Sequence, residues 1–349
     1  MRFTLLAGAA SLLLAVIAGA AFFTLSSFNH FKQVENRFAG SCSPVTGVAG
    51  PEDIEIAGPS RAFVSSLDRR AGKGARGAIF SVRIDDPLDS ENWRDRTAGA
   101  PARFQPLGLN YYEAGDIRRL FVVNSATKSV EIYAVAGNGD LKHVESVTER
   151  RLTSPNDVVA VGPRAFYVSN DVEAGRSSIV GKAQFLMRAA AGTIFYYDGV
   201  SMRAAAEGLR FANGLALNAE GTRLYAAETA GQSLAIYDRD AETGVLTLAK
   251  TEPLPAAPDN INVAFDGALW IGAQPKPLST PLVERDSAQV APSLVIRYVD
   301  KEGVAAPMTE VFSDRGALIS TASVAAVSGR HLLIGALLDD KYLICDLPG

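Results

Sequence analysis

The sequence predicts an all-β fold, a six-bladed β-propeller behind an N-terminal apolar helix, and three observations carry that prediction. A strand, loop, strand pattern recurs six times along the chain, and a short polar segment stands about ten residues ahead of each copy. The third observation is that Cys42 and Cys345, the two cysteines of the 349-residue chain, flank the repeated region.

The repeats begin "RAFVSSLDRRAGKGARGAIFSVRIDD", "RLFVVNSATKSVEIYAV", "RAFYVSND", "RLYAAETAGQSLAIYDRD", "ALWIGAQPKP" and "HLLIGALLDDKYLICDLPG". Their spacing, roughly 45 to 60 residues, is that of propeller blades and longer than most solenoid repeats. Alternating Val130, Ile132 and Val135, and Leu234 with Ile236, mark strands; Asn138-Gly139 and Glu220-Gly221 mark the turns between them. The polar segments ahead of the copies are "GPEDIEI", "QPLGLNYY", "SPNDVVAV", "FANGLALN", "PDNINVAF" and "ISTASVAAV". If each opens the innermost strand of a blade, all six converge on one end of the central channel. Gly181 to Gly192, "GKAQFLMRAAAG", reads as a helix inserted in the third blade, either covering the channel mouth or lengthening a loop.

Ahead of the repeats, Arg2 precedes an uncharged run from Phe3 to Phe28, roughly the 20 residues that cross a bilayer. Residues 1–28 read as a signal anchor with Arg2 on the cytoplasmic side, or as a cleaved signal peptide, since Ala18-Gly19-Ala20 offers a small-x-small site. Residues 29–41 are then a linker and 42–349 the propeller, exported and membrane-anchored, or secreted if the N-terminus is removed. In an oxidising compartment Cys42 and Cys345 read as one disulfide clasping the ring, with two unrelated buried thiols as the alternative. The net charge of -4, with Lys and Arg scattered, gives no basic face for nucleic acid.

The polar segments supply Glu52, Asp53, Asn156, Asp157, Asn213, Asp259 and Asn260. These are hard oxygen donors with an excess of carboxylates and neither cysteine nor histidine among them, which selects calcium over zinc or copper. Each alone reads as a turn residue, but equivalent dyads in one repeat argue for a shared site, and clustered carboxylates need a cation. Other motifs lack their context. "GKGARG", Gly72 to Gly77, precedes a strand with no helix behind it, and no G-x-S-x-G is present. His30, His143 and His331 read as surface or structural residues.

Together, "GPEDIEI", "SPNDVVAVGPRAFYVSND", "AEGLRFANGLALNAEGTRLYAAE", "DNINVAFDGALWIG" and "STASVAAVSGRHLLIGALLDDKYLIC", between Cys42 and Cys345, resemble the paraoxonase and arylesterase family, within the wider group that includes gluconolactonases. The resemblance implies a six-bladed propeller with two calcium ions in its channel, hydrolysing lactones and aryl esters. Glu52, Asn156, Asn213, Asp259 and Asn260 match ligands of the catalytic calcium, Asp53 and Asp157 match ligands of the structural calcium, and the family's bridge maps onto Cys42 and Cys345. Leu107, Ser125 and Val172 stand where the animal enzymes have histidines, two of them proposed as a general base and its partner. Glu52 or Asp259 is then left to serve as the base. A non-catalytic, calcium-stabilised propeller that binds a ligand or an envelope protein is the alternative function.

Overall fold

The computed structural model describes residues 2–72, 74–86, 94–301 and 307–348, with only the backbone course for residues 2–10. Lys73 of the "GKGARG" loop therefore lies outside the described residues, as does the side chain of Arg2. Among the described residues the chain forms six four-stranded antiparallel sheets, the blades of a propeller. Their innermost strands are Pro51–Ile56, Pro106–Ala114, Pro155–Ala160, Ala212–Leu217, Ala257–Val263 and Ala322–Ser328, one in each of the six polar segments.

Burial explains why the inner strands read as apolar runs and the outer ones as alternations. Pro155–Ala160 is buried throughout, between its own blade and its neighbours, whereas the outer strand Leu141–Thr148 alternates half-buried with exposed positions. Clusters between adjacent blades, such as Phe121, Phe166, Val168 and Phe195, hold blades two and three face to face.

All six inner strands slip register near their beginnings, between Pro51 and Asp53, Pro106 and Leu109, Pro155 and Val158, Ala212 and Leu215, Pro258 and Ile261, and Ala322 and Val324. A bulge of this kind frees one or two residues from the ladder and re-aims them. The residues freed include Glu52, Asn156, Asp157, Asn213, Asp259 and Asn260, whereas blade two frees Leu107 and Gly108. Proline suits such an opening, because a residue at a strand's first position need not donate to the ladder.

The last blade is closed by the chain's beginning. Strand Ser41–Thr46 pairs antiparallel with Lys341–Asp346, with Cys42 opposite Cys345, and the two cysteines form a disulfide. A 26-residue helix, Arg2–Ser27, precedes this closing strand. Residues 29–41 are not a free tether. Asn29 Nδ2 donates to Gln232 Oε1 at 2.5 Å, and Arg37 bridges to Ser313 through paired backbone hydrogen bonds of 2.8 Å, so the segment runs pinned across blades four and five. Among the described residues no helix is long and apolar enough to cross a membrane.

Removing the clasp should leave the six paired residues of the closing strand to hold the ring alone. Cys42→Ser is expected to lower stability by a few kcal/mol on the chain-entropy estimate, seen as a drop of several degrees in Tm. A melting temperature equal to that of the oxidised parent would refute the clasp.

Candidate functional site

The bulges bring the predicted residues together. Glu52, Asn156, Asn213 and Asp259 open onto one cavity of about 690 Å³ at the channel mouth, and Asn260 is tied to Glu52 by an Nδ2 hydrogen bond of 3.1 Å to its carbonyl oxygen. Asp53 and Asp157 face the other way, onto a cavity of about 210 Å³ nearer the opposite end of the channel. Neighbouring residues of one strand thus address different levels of the axis. Close backbone approach is part of the arrangement, since a Cβ on Gly108 would fall 2.0 Å from Asp157 Oδ1.

At the mouth, donors turn outward and acceptors inward. Asn213 Nδ2 donates to Thr229 Oγ1 at 2.9 Å and to Asp259 Oδ1 at 2.7 Å, while Gln274 Nε2 donates to Asp259 Oδ2 at 2.9 Å. What remains is a set of buried oxygens with no hydrogen-bond partner: Glu52 Oε2, Asn156 Oδ1, Asn213 Oδ1 and Asn260 Oδ1. An orphaned buried acceptor costs about 1–3 kcal/mol. Four of them from four blades fit a cation that takes oxygen ligands. Among the described residues no three His, Cys, Asp or Glu side chains form a metal cluster; here three of the four inward oxygens belong to amides.

One level deeper, each carboxylate is held by the backbone. Asp53 accepts from the Leu109 and Ile54 amides at 2.6 and 2.9 Å, and Asp157 from the Leu215 and Val158 amides at 2.6 and 2.7 Å. Among the described residues neither Asp53 nor Asp157 has an ion-pair partner. Burial, then the nearby Glu52 charge, pushes Asp53 up to about 7 and Asp259 up to about 8. Asp157 is raised well above its ordinary value by burial and by Asp53, and Glu52 is raised by burial against the pull of Arg69 and Arg176.

Several residues of the site escaped the sequence reading. Arg69 Nη2 lies 3.8 Å from Glu52 Oε2, and Arg176 Nε lies 2.7 Å from Asp171 Oδ2, a fully buried carboxylate that burial raises to about 6. Gln274 was missed too, yet the repeat carries its signal. Asn124, Asn170, Glu228 and Gln274 all end the second strand of a blade, opposite the first residue of the inner strand. The first three accept the backbone amide just ahead of that strand, at 3.0, 2.7 and 2.8 Å.

The inserted helix covers the mouth, with shifted bounds. It spans Ile179–Leu186, and Gly192 already opens a strand. Phe185 packs on Phe211 and on Phe28, ring centroids 5.0 and 5.2 Å apart. Opposite it, helix Thr280–Arg285, which the sequence reading did not anticipate, forms the other wall of the cavity. Phe211 itself sits at φ 63°, a strained conformation for a bulky residue, immediately before the strand that presents Asn213.

Of the positions that lack histidine, Leu107 and Ser125 line a second cavity beside the mouth. Leu107 and Val172 are buried, and Ser125 Oγ donates to the Gln105 carbonyl at 3.0 Å. His143 bonds Glu131 at 2.8 Å in blade two, and His331 faces Asp346 at 3.3 Å, so neither reaches the mouth; the wall of the mouth cavity holds no histidine among the described residues.

A family model described as Arylesterase matches residues 73–347. The chain belongs to the arylesterase family. It is 27% identical to human serum paraoxonase/arylesterase 1 over 332 residues, covering 91% of this chain and 92% of that protein. Against chicken serum paraoxonase/arylesterase 2 it is 28% identical over the same shares. Among solved structures, a gluconolactonase from Xanthomonas campestris superposes with a TM-score of 0.56 at 17% identity, covering 88% of this chain and 90% of that one. A calcium-binding regucalcin from Agrobacterium tumefaciens superposes with a TM-score of 0.55 at 14% identity, covering 89% and 96%. These likenesses establish the propeller fold of this family member.

Two outcomes test the geometry. In calcium, Asp157→Ala should destabilise the protein far more than Asn156→Ala, which should spare the fold; two ordinary turn residues would each lose about 1 kcal/mol. The raised carboxylates give the second. Metal-free native protein holds more protons than the unfolded chain between roughly pH 4 and 8, because the folded values lie above the ordinary 3.8. Stability of the metal-free protein should therefore fall as pH rises through that window, and calcium should oppose the fall. Thermal unfolding of dialysed protein from pH 5 to 8.5, with and without calcium, reads both; a metal-free Tm that rises with pH contradicts the assignment.

Proposed function

We propose that this arylesterase-family protein is a calcium-dependent hydrolase of lactones and aryl esters. The observation that carries the reading is the set of four buried unpartnered oxygens, those of Glu52, Asn156 and Asn213 on residues that line a roomy, partly apolar cavity and that of Asn260 beside them. Glu52, Asn156, Asn213, Asp259 and Asn260 would hold a catalytic ion, and Asp53 with Asp157 a structural one. Calcium at the mouth would polarise the substrate carbonyl and stabilise the charge that develops on its oxygen.

The chain's own side chains do the rest. Phe185, Phe211 and Leu186 give the acyl or aryl part an apolar wall and exclude water around it. Glu52 and Asp259 are the candidates for the proton acceptor, since no histidine lies at the mouth. Asp259 has both oxygens engaged, by Asn213 and Gln274, whereas Glu52 keeps Oε2 without a hydrogen bond. Glu52 is therefore the better placed to take a proton from an attacking water, and Asp259 to fix the amide of Asn213.

A disulfide between the chain's ends supports an oxidising, extracytoplasmic location. Anchoring through residues 1–28 draws support from the exposed Leu12, Leu13, Leu14, Phe22 and Phe23, an apolar surface that no part of the propeller covers. A fusion of the intact chain recovered in the membrane fraction, and lost from it on deleting residues 1–27, is the matching result.

Activity on a panel of lactones and aryl esters should vanish with chelator, return with calcium, and drop by about 100-fold or more in Asn213→Ala. Activity indifferent to both would sink the proposal and leave the non-catalytic ligand-binding propeller.

A further inference from the structure

The mouth cavity has a second lobe. A neighbouring cavity of about 570 Å³ shares Arg69, Arg176 and Glu284 with it, so the two meet across the arginines. The lobes differ in chemistry. The first is walled mainly by apolar side chains such as Phe185, Leu186, Phe211 and Leu338, whereas the second mixes Leu67 and Leu107 with the polar Gln105, Ser125, Thr153 and Ser177.

Charge separates them further. Arg69, Lys128 and Arg176 line the polar lobe against one carboxylate, Glu284, on a chain whose net charge is negative. Arg176 is committed to Asp171, and Arg69 stands near Glu52, but Lys128 is exposed and makes no ion pair among the described residues. It sits at φ 56°, on the turn between the second and third strands of blade two, which fixes it at the lobe's rim. Since both arginines also line the first lobe and face buried carboxylates, Lys128 is the cation that sets the second lobe apart, and its ammonium at the rim favours a negative group.

From these observations we infer the substrate class: an amphipathic ester or lactone whose apolar part lies in the first lobe and whose far end carries a carboxylate in the second, facing Lys128 and the two arginines. This rests on the hydrolase reading for the reacting group and goes beyond it for the recognised one. The carboxylate is read by the chain's cations and takes no part in bond breaking.

The test separates the two readings. Binding of monomethyl glutarate and of dimethyl glutarate to the calcium-loaded full chain is measured by calorimetry, for the parent, Lys128→Asn and Lys128→Arg; asparagine tolerates the left-handed backbone, and matching Tm values verify the fold. The half-acid should bind about tenfold tighter than the diester. Lys128→Asn should cut that ratio about fivefold, Lys128→Arg should restore it, and added salt should shrink it. Equal affinities, or a preference untouched by Lys128→Asn because the carboxylate simply sits on calcium, overturns the inference. Hydrolysis of mono-p-nitrophenyl glutarate and its methyl ester is followed in parallel. No turnover of either, with a Lys128-dependent preference intact, refutes the hydrolase and keeps the carboxylate pocket; turnover without preference does the reverse.

Discussion

The structure depends on one electrostatic constraint, the gathering of carboxylates on a buried axis. Glu52, Asp53, Asp157 and Asp259 are all at least nine-tenths buried, and every one of them is raised in pKa chiefly by burial. Isolated charges in such a place would cost several kcal/mol each, and the fold does not supply enough arginine to pair them. Six blades bring these acids to one line, and the proposed calcium would neutralise them there. On that proposal the propeller is less a scaffold that carries a site than a shell whose charged centre the ion would stabilise.

The same constraint accounts for the polar network behind the acids. Thr229 Oγ1 accepts from Asn213 and donates to the Pro258 carbonyl, and Thr280 Oγ1 donates to Gln274, which in turn holds Asp259. An amide whose nitrogen is fixed in this way cannot flip, so its oxygen stays aimed at the axis. Through Thr280 the link reaches the helix Thr280–Arg285 at the mouth. The wall of the mouth cavity and the proposed ion ligands Asp259 and Asn213 are therefore one hydrogen-bonded unit.

Much of this was legible in the sequence, and the physical reason is repetition. One dyad before one strand means little, but bulges at the same register in six blades leave the same signature, so Glu52, Asn156, Asn213 and Asp259 could be collected without knowing their neighbours. What repeated weakly was missed. Gln274 belongs to a series with Asn124, Asn170 and Glu228, but three amino-acid types share it and one copy has changed its partner. Arg69 and Arg176 belong to loops that differ from blade to blade, and nothing periodic marks them. The inserted helix was found two residues late and ended six too far along, since "MRAAAG" has the propensity of a helix while its backbone turns at Arg188, φ 53°.

Irregularity is also what covers one end of the channel. A ring of like blades would fix the proposed ion without saying which ester could reach it; on the hydrolase proposal that choice falls to insertions that break the repeat. The helix Ile179–Leu186, the helix Thr280–Arg285 and the N-terminal segment around Phe28 meet over one end of the channel, and Arg188 fastens the first of them to blade four through the carbonyls of Ala230 and Gly231, both at 2.6 Å. The opposite end carries no such cover among the residues lining its cavity. The covering segments are not equivalent in this respect: the helix Ile179–Leu186 is fastened to blade four and could vary while the axis stays fixed, whereas the helix Thr280–Arg285 is tied to Asp259 through Thr280 and Gln274, so change there would reach the axis as well.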